Sequence, residues 1–266
     1  MPTDARPVSV LDFEAWKGQG RKITSLTAYD YPTARALDAA GVDCLLVGDS
    51  LGTAVQGRDT TLGVTLDQMI YHAEMVARAA RRAFVVCDLP FLSYQASRPQ
   101  AIRSAGRILK ETGSKAVKVE GGVRMAATIR AVVDAQIPVM AHVGLTPQSV
   151  RRFGGFKVQR QAEAIRADAR AVAEAGAFAV VLECVPAELA ATITAEIPIP
   201  TIGIGAGAGC DGQVLVLHDM LGLLDDFRPR FARRYAELGD AVRDAAARFN
   251  ADVRSGDFPA ESESFR

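Results

Sequence analysis

No stretch of the 266 residues approaches the roughly 18 consecutive apolar residues that a membrane-spanning helix needs. The opening segment, MPTDARPVSVLDFEAWKGQG, lacks the apolar core of a signal peptide. Neither sign of charge is in surplus, because 31 Lys and Arg face 31 Asp and Glu. Phosphate backbones and anionic membranes select a basic surplus, so neither nucleic acid nor a membrane surface is expected as the partner. Cysteine is sparse. The four are Cys44, Cys87, Cys184 and Cys210, none forms a CxxC pair, and three sit in or beside apolar runs. Buried free thiols fit that pattern better than a zinc site or a cysteine nucleophile. These absences together point to the reducing cytoplasm.

What is present is a core. Hydrophobic residues make up 49% of the chain. Eight short apolar runs punctuate it: Ile23–Thr27, Cys44–Val47, Phe84–Cys87, Ala116–Val119, Pro138–Ala141, Phe178–Leu182, Thr201–Ile204 and Val214–Leu217. They are apolar almost throughout instead of alternating, as strands of a parallel sheet buried on both faces are. Helix signals lie between them. Thr65 to Gln68 reads as a capping box, followed by Ile70, Ala73, Val76 and Ala80 at helical spacing. Ile102, Ala105 and Leu109 share one face, with Gly113 as a stop. Pro147 and Pro186 stand where a first helical residue would. Residues Gln161 to Ala175 are rich in Ala, Arg and Glu and end at Gly176.

Eight such alternations predict an α/β (β/α)8 TIM barrel in a single domain, with an open doubly wound sheet as the alternative. The barrel is expected over about residues 22–225, after an N-terminal helix within the first 20 residues. One or two C-terminal helices are expected over Phe227–Asn250, as a helical extension of residues 226–266 that ends in a polar tail.

The apolar runs end in charge. Asp49, Asp88, Glu120, His142, Glu183 and the pair His218-Asp219 each follow a run. A barrel gathers all C-terminal strand ends on one face, where active sites form. Three carboxylates from neighbouring strands, Asp49, Asp88 and Glu120, repel one another unless a cation intervenes. Oxygen-only ligands suit Mg2+ and not zinc. Each acid taken singly can instead be a helix N-cap, so the metal reading rests on the set. Lys118, inside an apolar run, either enters the barrel mouth or snorkels outward between helices. His142 can be functional or a satisfied core residue, and His72 reads as structural. The run Gly203 to Gly209 contains a weak GxGxxA pattern. Its late position and the strand close behind it argue against a dinucleotide site. An anionic ligand, or a close approach of the backbone to a ligand, remains open.

At these residues the chain resembles the ketopantoate hydroxymethyltransferase family of the pantothenate pathway. The resemblance is carried by LTAYDYPTA (26–34), LLVGDSLG (45–52), CDLPF (87–91), VKVEGG (117–122), HVGLTPQS (142–149), FGGFKVQ (153–159), VLECVP (181–186) and IGIGAGAGCDGQVLV (202–216). They run in order from the first strand to the eighth. The resemblance implies a (β/α)8 barrel that converts 3-methyl-2-oxobutanoate to 2-dehydropantoate, with 5,10-methylenetetrahydrofolate as one-carbon donor and Mg2+ as cofactor. It implies Asp49 and Asp88 as metal ligands, with Glu120 completing the site directly or through water. Asp49, Ser50, Asp88, Lys118 and His142 would hold the oxo acid, and Glu183 would be the general base. It also implies a homo-oligomer, commonly a decamer, with the C-terminal helices as candidate contacts. One departure is Arg160, where the family usually has glycine, and the stretch from there to Glu183 looks short.

Overall fold

The computed structural model describes residues 6–155, 160–224 and 228–265. Residues 156–159 of the FGGFKVQ motif and Phe227 lie outside the described residues. Eight strands form: β1 (Ile23–Thr27), β2 (Cys44–Val47), β3 (Phe84–Asp88), β4 (Ala116–Glu120), β5 (Val139–Gly144), β6 (Ala179–Glu183), β7 (Thr201–Ile204) and β8 (Gly212–Leu215). Each pairs in parallel with the next, and β8 pairs with β1, so the sheet closes into a barrel in chain order. That closure decides against the open doubly wound sheet.

β1, β2 and β7 have the expected bounds, and the others shift by one to three residues. The eighth shifts most in meaning. β8 opens at Gly212, and Leu217–Leu221 is a short helix. His218 and Asp219 therefore stand on a helix and not at a strand end. Gly212 and Gln213 begin the strand without an apolar side chain, so a search for apolar runs starts two residues late.

The strands bury both faces, and residue parity decides which. Leu45, Val47, Val85, Val117 and Val119 belong to the larger core cluster, together with Met69, Ala73 and Val76 of the helix Leu66–Ala79. Cys44, Leu46, Phe84, Val86, Ala116, Met140, Ala179 and Val181 form a second cluster with Phe13. Successive strand side chains point to opposite faces, so the second set fills the barrel interior. Phe13 comes from the expected N-terminal helix, Val10–Gly18. Its ring packs edge-on against Phe84 at 5.3 Å and Phe178 at 5.1 Å, where β3 begins and just ahead of β6.

At the same end Asp43 anchors a polar knot. Its carboxylate meets Arg21 at 2.8 Å and Arg82 at 2.7 Å and accepts from the backbone and hydroxyl of Thr24. Burial alone would raise the Asp43 carboxyl, but Arg82, Thr24 and Arg21 outweigh it and hold the group below its ordinary value.

The expected helices form with their expected caps. Thr65 caps Leu66–Ala79 through Gln68, and Arg98–Thr112 stops at Gly113 in the left-handed region. The helix over residues 162–174 also forms. Pro147 opens only a 3-10 turn, followed by the short helix Val150–Phe153, and Pro186 is the cap ahead of Ala187–Glu196. The Gly-rich run after β7 makes its close approach to protein. A Cβ at Gly207 or Gly209 would strike Ala187 or Ala191 of the helix Ala187–Glu196. The chain resolves into two compact units, residues 1–216 and 217–266. The second holds one long helix, Leu238–Ser255, and a 3-10 turn at Glu261–Glu263.

Candidate active site

Inside the barrel the interior parity runs from apolar to charged as each strand rises. β3 reads Phe84, Val86, Asp88, and β4 reads Ala116, Lys118, Glu120. β5 adds Met140 then His142, and β6 adds Ala179, Val181, Glu183. The strand register brings the charged ends together, pairing Asp88 with Lys118 and Glu120 with His142. Gly144 sits opposite Glu183. Asp49 lies just beyond β2, and its backbone N–H donates to Asp88 Oδ2 at 3.0 Å.

Lys118 therefore points inward. Its ammonium lies 3.2 Å from Asp88 Oδ1, 3.8 Å from Glu120 Oε1 and 3.1 Å from His142 Nδ1. The other ring nitrogen, His142 Nε2, is 3.1 Å from Glu183 Oε2. Ser50 starts the short helix Leu51–Ala54 and is hydrogen-bonded through its hydroxyl to Tyr29 at 2.7 Å. All seven residues singled out from the sequence thus fall in the barrel mouth. The three acids, Lys118 and His142 are buried, while Ser50 and Glu183 are partly open. His72 keeps a structural place, with Nδ1 2.6 Å from the Tyr29 carbonyl.

The sequence did not mark Gln148 or Tyr94, which hold this group in place. Gln148 Nε2 donates to Asp49 Oδ2 at 2.8 Å and to the Leu89 carbonyl at 2.9 Å. Its backbone N–H donates to Glu120 Oε2 at 3.0 Å. Its Oε1 accepts from the Tyr94 hydroxyl at 2.8 Å and from Gln95 at 2.9 Å. The Tyr94 oxygen in turn accepts the Glu120 N–H at 3.2 Å. Tyr94 follows β3 in a loop and Gln148 follows β5 in the 3-10 turn Pro147–Ser149, where no periodicity marks them. The only sequence signal was that Gln148 falls inside the HVGLTPQS motif.

The charge count is unbalanced. Three buried carboxylates share one ammonium. Burial raises the Asp88 carboxyl to about 7 against the pull of Lys118, with Asp49 adding to the rise. Burial also raises Asp49, and raises Glu120 well above the carboxylate range with Asp49 contributing. Burial would lower Lys118, but Asp88, Glu120 and Asp49 more than reverse it. Burial and then Lys118 lower His142, which favours the neutral ring. Asp88 Oδ1 and Glu120 Oε1 are buried and, among the described residues, accept no hydrogen bond beyond their ion-pair contacts. Among the described residues no group of three or more His, Cys, Asp or Glu is disposed to hold a metal ion. Such a site, with more buried acid than base, favours a cation, and Glu183 stands at its partly open edge.

Residues 7–261 match the family model described as ketopantoate hydroxymethyltransferase. The chain belongs to the ketopantoate hydroxymethyltransferase family. Relatives named 3-methyl-2-oxobutanoate hydroxymethyltransferase agree at nearly full length. That of Pelobacter propionicus is 55% identical over 98% of both chains, and that of Moorella thermoacetica is 55% identical over 97% of this chain and 98% of its own. The chain is thus a hydroxymethyltransferase. Solved structures share the barrel of this hydroxymethyltransferase at low identity. A 2,3-dimethylmalate lyase of the PEP mutase/isocitrate lyase superfamily aligns at TM-score 0.60 and 19% identity, covering 96% of this chain and 91% of its own. A phosphoenolpyruvate phosphomutase from Streptomyces platensis aligns at TM-score 0.64 and 16% identity, covering 94% and 88%. Among the described residues no helix is long and apolar enough to cross a membrane.

Proposed function

We propose that this hydroxymethyltransferase moves a one-carbon unit from 5,10-methylenetetrahydrofolate to 3-methyl-2-oxobutanoate, giving 2-dehydropantoate. The observation that carries the reading is the strand-end cluster. A buried ammonium and a neutral imidazole face three acids, and a fourth acid, Glu183, touches that imidazole from the open side.

The donor set fits Mg2+. Asp88 Oδ1 and Glu120 Oε1, whose partners among the described residues are ion-pair contacts alone, and the excess of negative charge both favour a hard cation. Mg2+ is commonly held by one or two carboxylates, with water and substrate oxygens completing its shell, so a ready-made set of three is not required. Asp49 and Asp88 would hold the ion, with Glu120 direct or through water. When bound, it supplies positive charge at the keto and carboxylate oxygens, which acidifies the neighbouring C–H.

The protein's own groups do the rest. Lys118 offsets the ligand carboxylate, and Ser50 and His142 orient its oxygens. Glu183, at the partly open edge of the cluster, takes the proton from C3. Its contact with His142 Nε2 fixes the carboxylate near the mouth. Water opens the donor to formaldehyde and tetrahydrofolate, breaking both C–N bonds; the carbanionic carbon then adds to the formaldehyde carbon, and the alkoxide so formed takes a proton to give the hydroxymethyl group.

The test combines 3-methyl-2-oxobutanoate, methylenetetrahydrofolate and Mg2+, with wild type and Glu183→Gln. Ketopantoate formation that vanishes with EDTA is expected. Exchange of the C3 proton with solvent should fall about 100-fold or more in the variant, the scale of a lost general base. Cleavage or rearrangement of the oxo acid without folate would point to lyase or mutase chemistry instead.

A homo-oligomer in the cytoplasm completes the reading. The helix Leu238–Ser255 leaves Val242, Phe249 and Val253 exposed on one side, as an intersubunit seam would. Phe249→Asp should lower the particle mass seen by light scattering.

A further inference from the structure

We propose that the folate donor lies in the cavity between the segments that follow β4 and β5, with its glutamate tail on Arg124 and Arg152. The inference rests on the folate reading above and adds a place for it. The cavity has a volume of about 410 Å3, within the range of about 300–1,000 Å3 of small-molecule sites.

Its inner wall is shared with the charged cluster through Glu120 and Gln148. Gly144 also lines it, and the β5–β6 register sets Gly144 opposite Glu183. A ligand there lies one strand away from Glu183, beside the cluster of Lys118 and His142 that would hold the oxo acid. The middle of the wall is apolar and aromatic, with Phe91, Tyr94, Met125 and Ile165. Such a wall receives a flat pterin and benzoyl ring by stacking and burial.

The outer wall carries Arg124 and Arg152, both exposed. Among the described residues neither forms an ion pair or side-chain hydrogen bond. Asp168, the other acid lining the cavity besides Glu120, accepts the Val123 N–H at 2.8 Å and is turned to the backbone. These two guanidinium groups match the two carboxylates of a glutamate, since arginine binds carboxylates in a bidentate fork.

The test uses the full chain with two non-reacting probes, 5-formyltetrahydrofolate and its pteroate counterpart without glutamate. Oxo-acid binding is measured separately by calorimetry. Wild type is expected to favour the glutamate-bearing probe about tenfold, the size of two partly exposed charge-assisted contacts. Arg124→Ala with Arg152→Ala should erase that preference and leave oxo-acid affinity unchanged. Ala164→Trp, at an exposed position on the cavity wall, should weaken both probes at least tenfold and spare the oxo acid. A double variant that keeps the full preference, or a tryptophan variant that binds both probes as wild type does, overturns the placement alone. A wild type that binds neither probe overturns the folate reading itself.

Discussion

Replacing Lys118 by methionine keeps the length and apolar stem of the side chain and removes only the charge. The ammonium faces Asp88 at 3.2 Å and Glu120 at 3.8 Å. Coulomb's law at an effective dielectric of about 20 gives these contacts roughly 5 and 4 kcal/mol of gross attraction. Desolvating the ammonium cancels several kcal/mol of that, so the net loss expected for breaking such a buried group is about 3–5 kcal/mol. At about 2–4 °C per kcal/mol for a chain of this size, the metal-free variant should melt roughly 10 °C below wild type.

The deficit should also depend on pH in a fixed direction. Without the ammonium, the three acids must keep protons to stay buried, and their pKa values rise further. The Asp88 carboxyl already sits at about 7 in the folded protein, above its ordinary 3.8. A carboxyl raised on folding weakens the fold progressively as pH climbs from its unfolded to its folded value, and the penalty is complete above both. The variant should therefore differ most from wild type near pH 8 and least near pH 5. Urea unfolding after EDTA treatment at the two values measures this. A deficit under 1 kcal/mol at pH 8, or one that does not shrink in acid, would refute the electrostatic account.

Three further outcomes follow from contacts described above. Gln148→Leu leaves Asp49 Oδ2 and the Leu89 carbonyl without their donor. It should cost about 1–3 kcal/mol in denaturant unfolding and weaken Mg2+ binding by calorimetry. Gln148→Glu should not restore either, because it lacks the amide donor. Gly144 has φ +90°, and a Cβ there would run into the Glu183 carbonyl, so Gly144→Ala should lower kcat more than it lowers Tm. Asp43→Asn should cost about 1–3 kcal/mol at pH 7, since Arg21 and Arg82 are exposed enough to rehydrate. Because the Asp43 carboxyl is held below 3.8, its stabilisation is present above that value and fades as pH falls through the folded one. Equal stabilities of wild type and variant at pH 7 would rule that out.

Much of the barrel was legible because burial on both faces leaves a strong mark, runs of four or five residues that are apolar almost throughout. β8 was misread at its start for the converse reason, since Gly212 and Gln213 carry no apolar side chain. The acids were legible because charge after an apolar run has few explanations. Lys118 was ambiguous until the parity of Ala116, Lys118 and Glu120 in β4 assigned it to the interior. Gln148 and Tyr94 were illegible, because uncharged side chains in loops and turns have no spacing rule and gain their roles only from what folding sets beside them. The exposed arginines of the cavity wall were equally mute, as most exposed arginines serve only solubility.

The pairing of Asp88 with Lys118, Glu120 with His142 and Gly144 with Glu183 has a consequence for descent. The clustered polar groups are spaced by backbone hydrogen bonds, and insertions cannot enter a closed ladder without breaking it. The loops above carry no such constraint. A lineage can therefore lengthen, shorten or rewrite them, exchanging one co-substrate for another, while the charged floor keeps its dimensions.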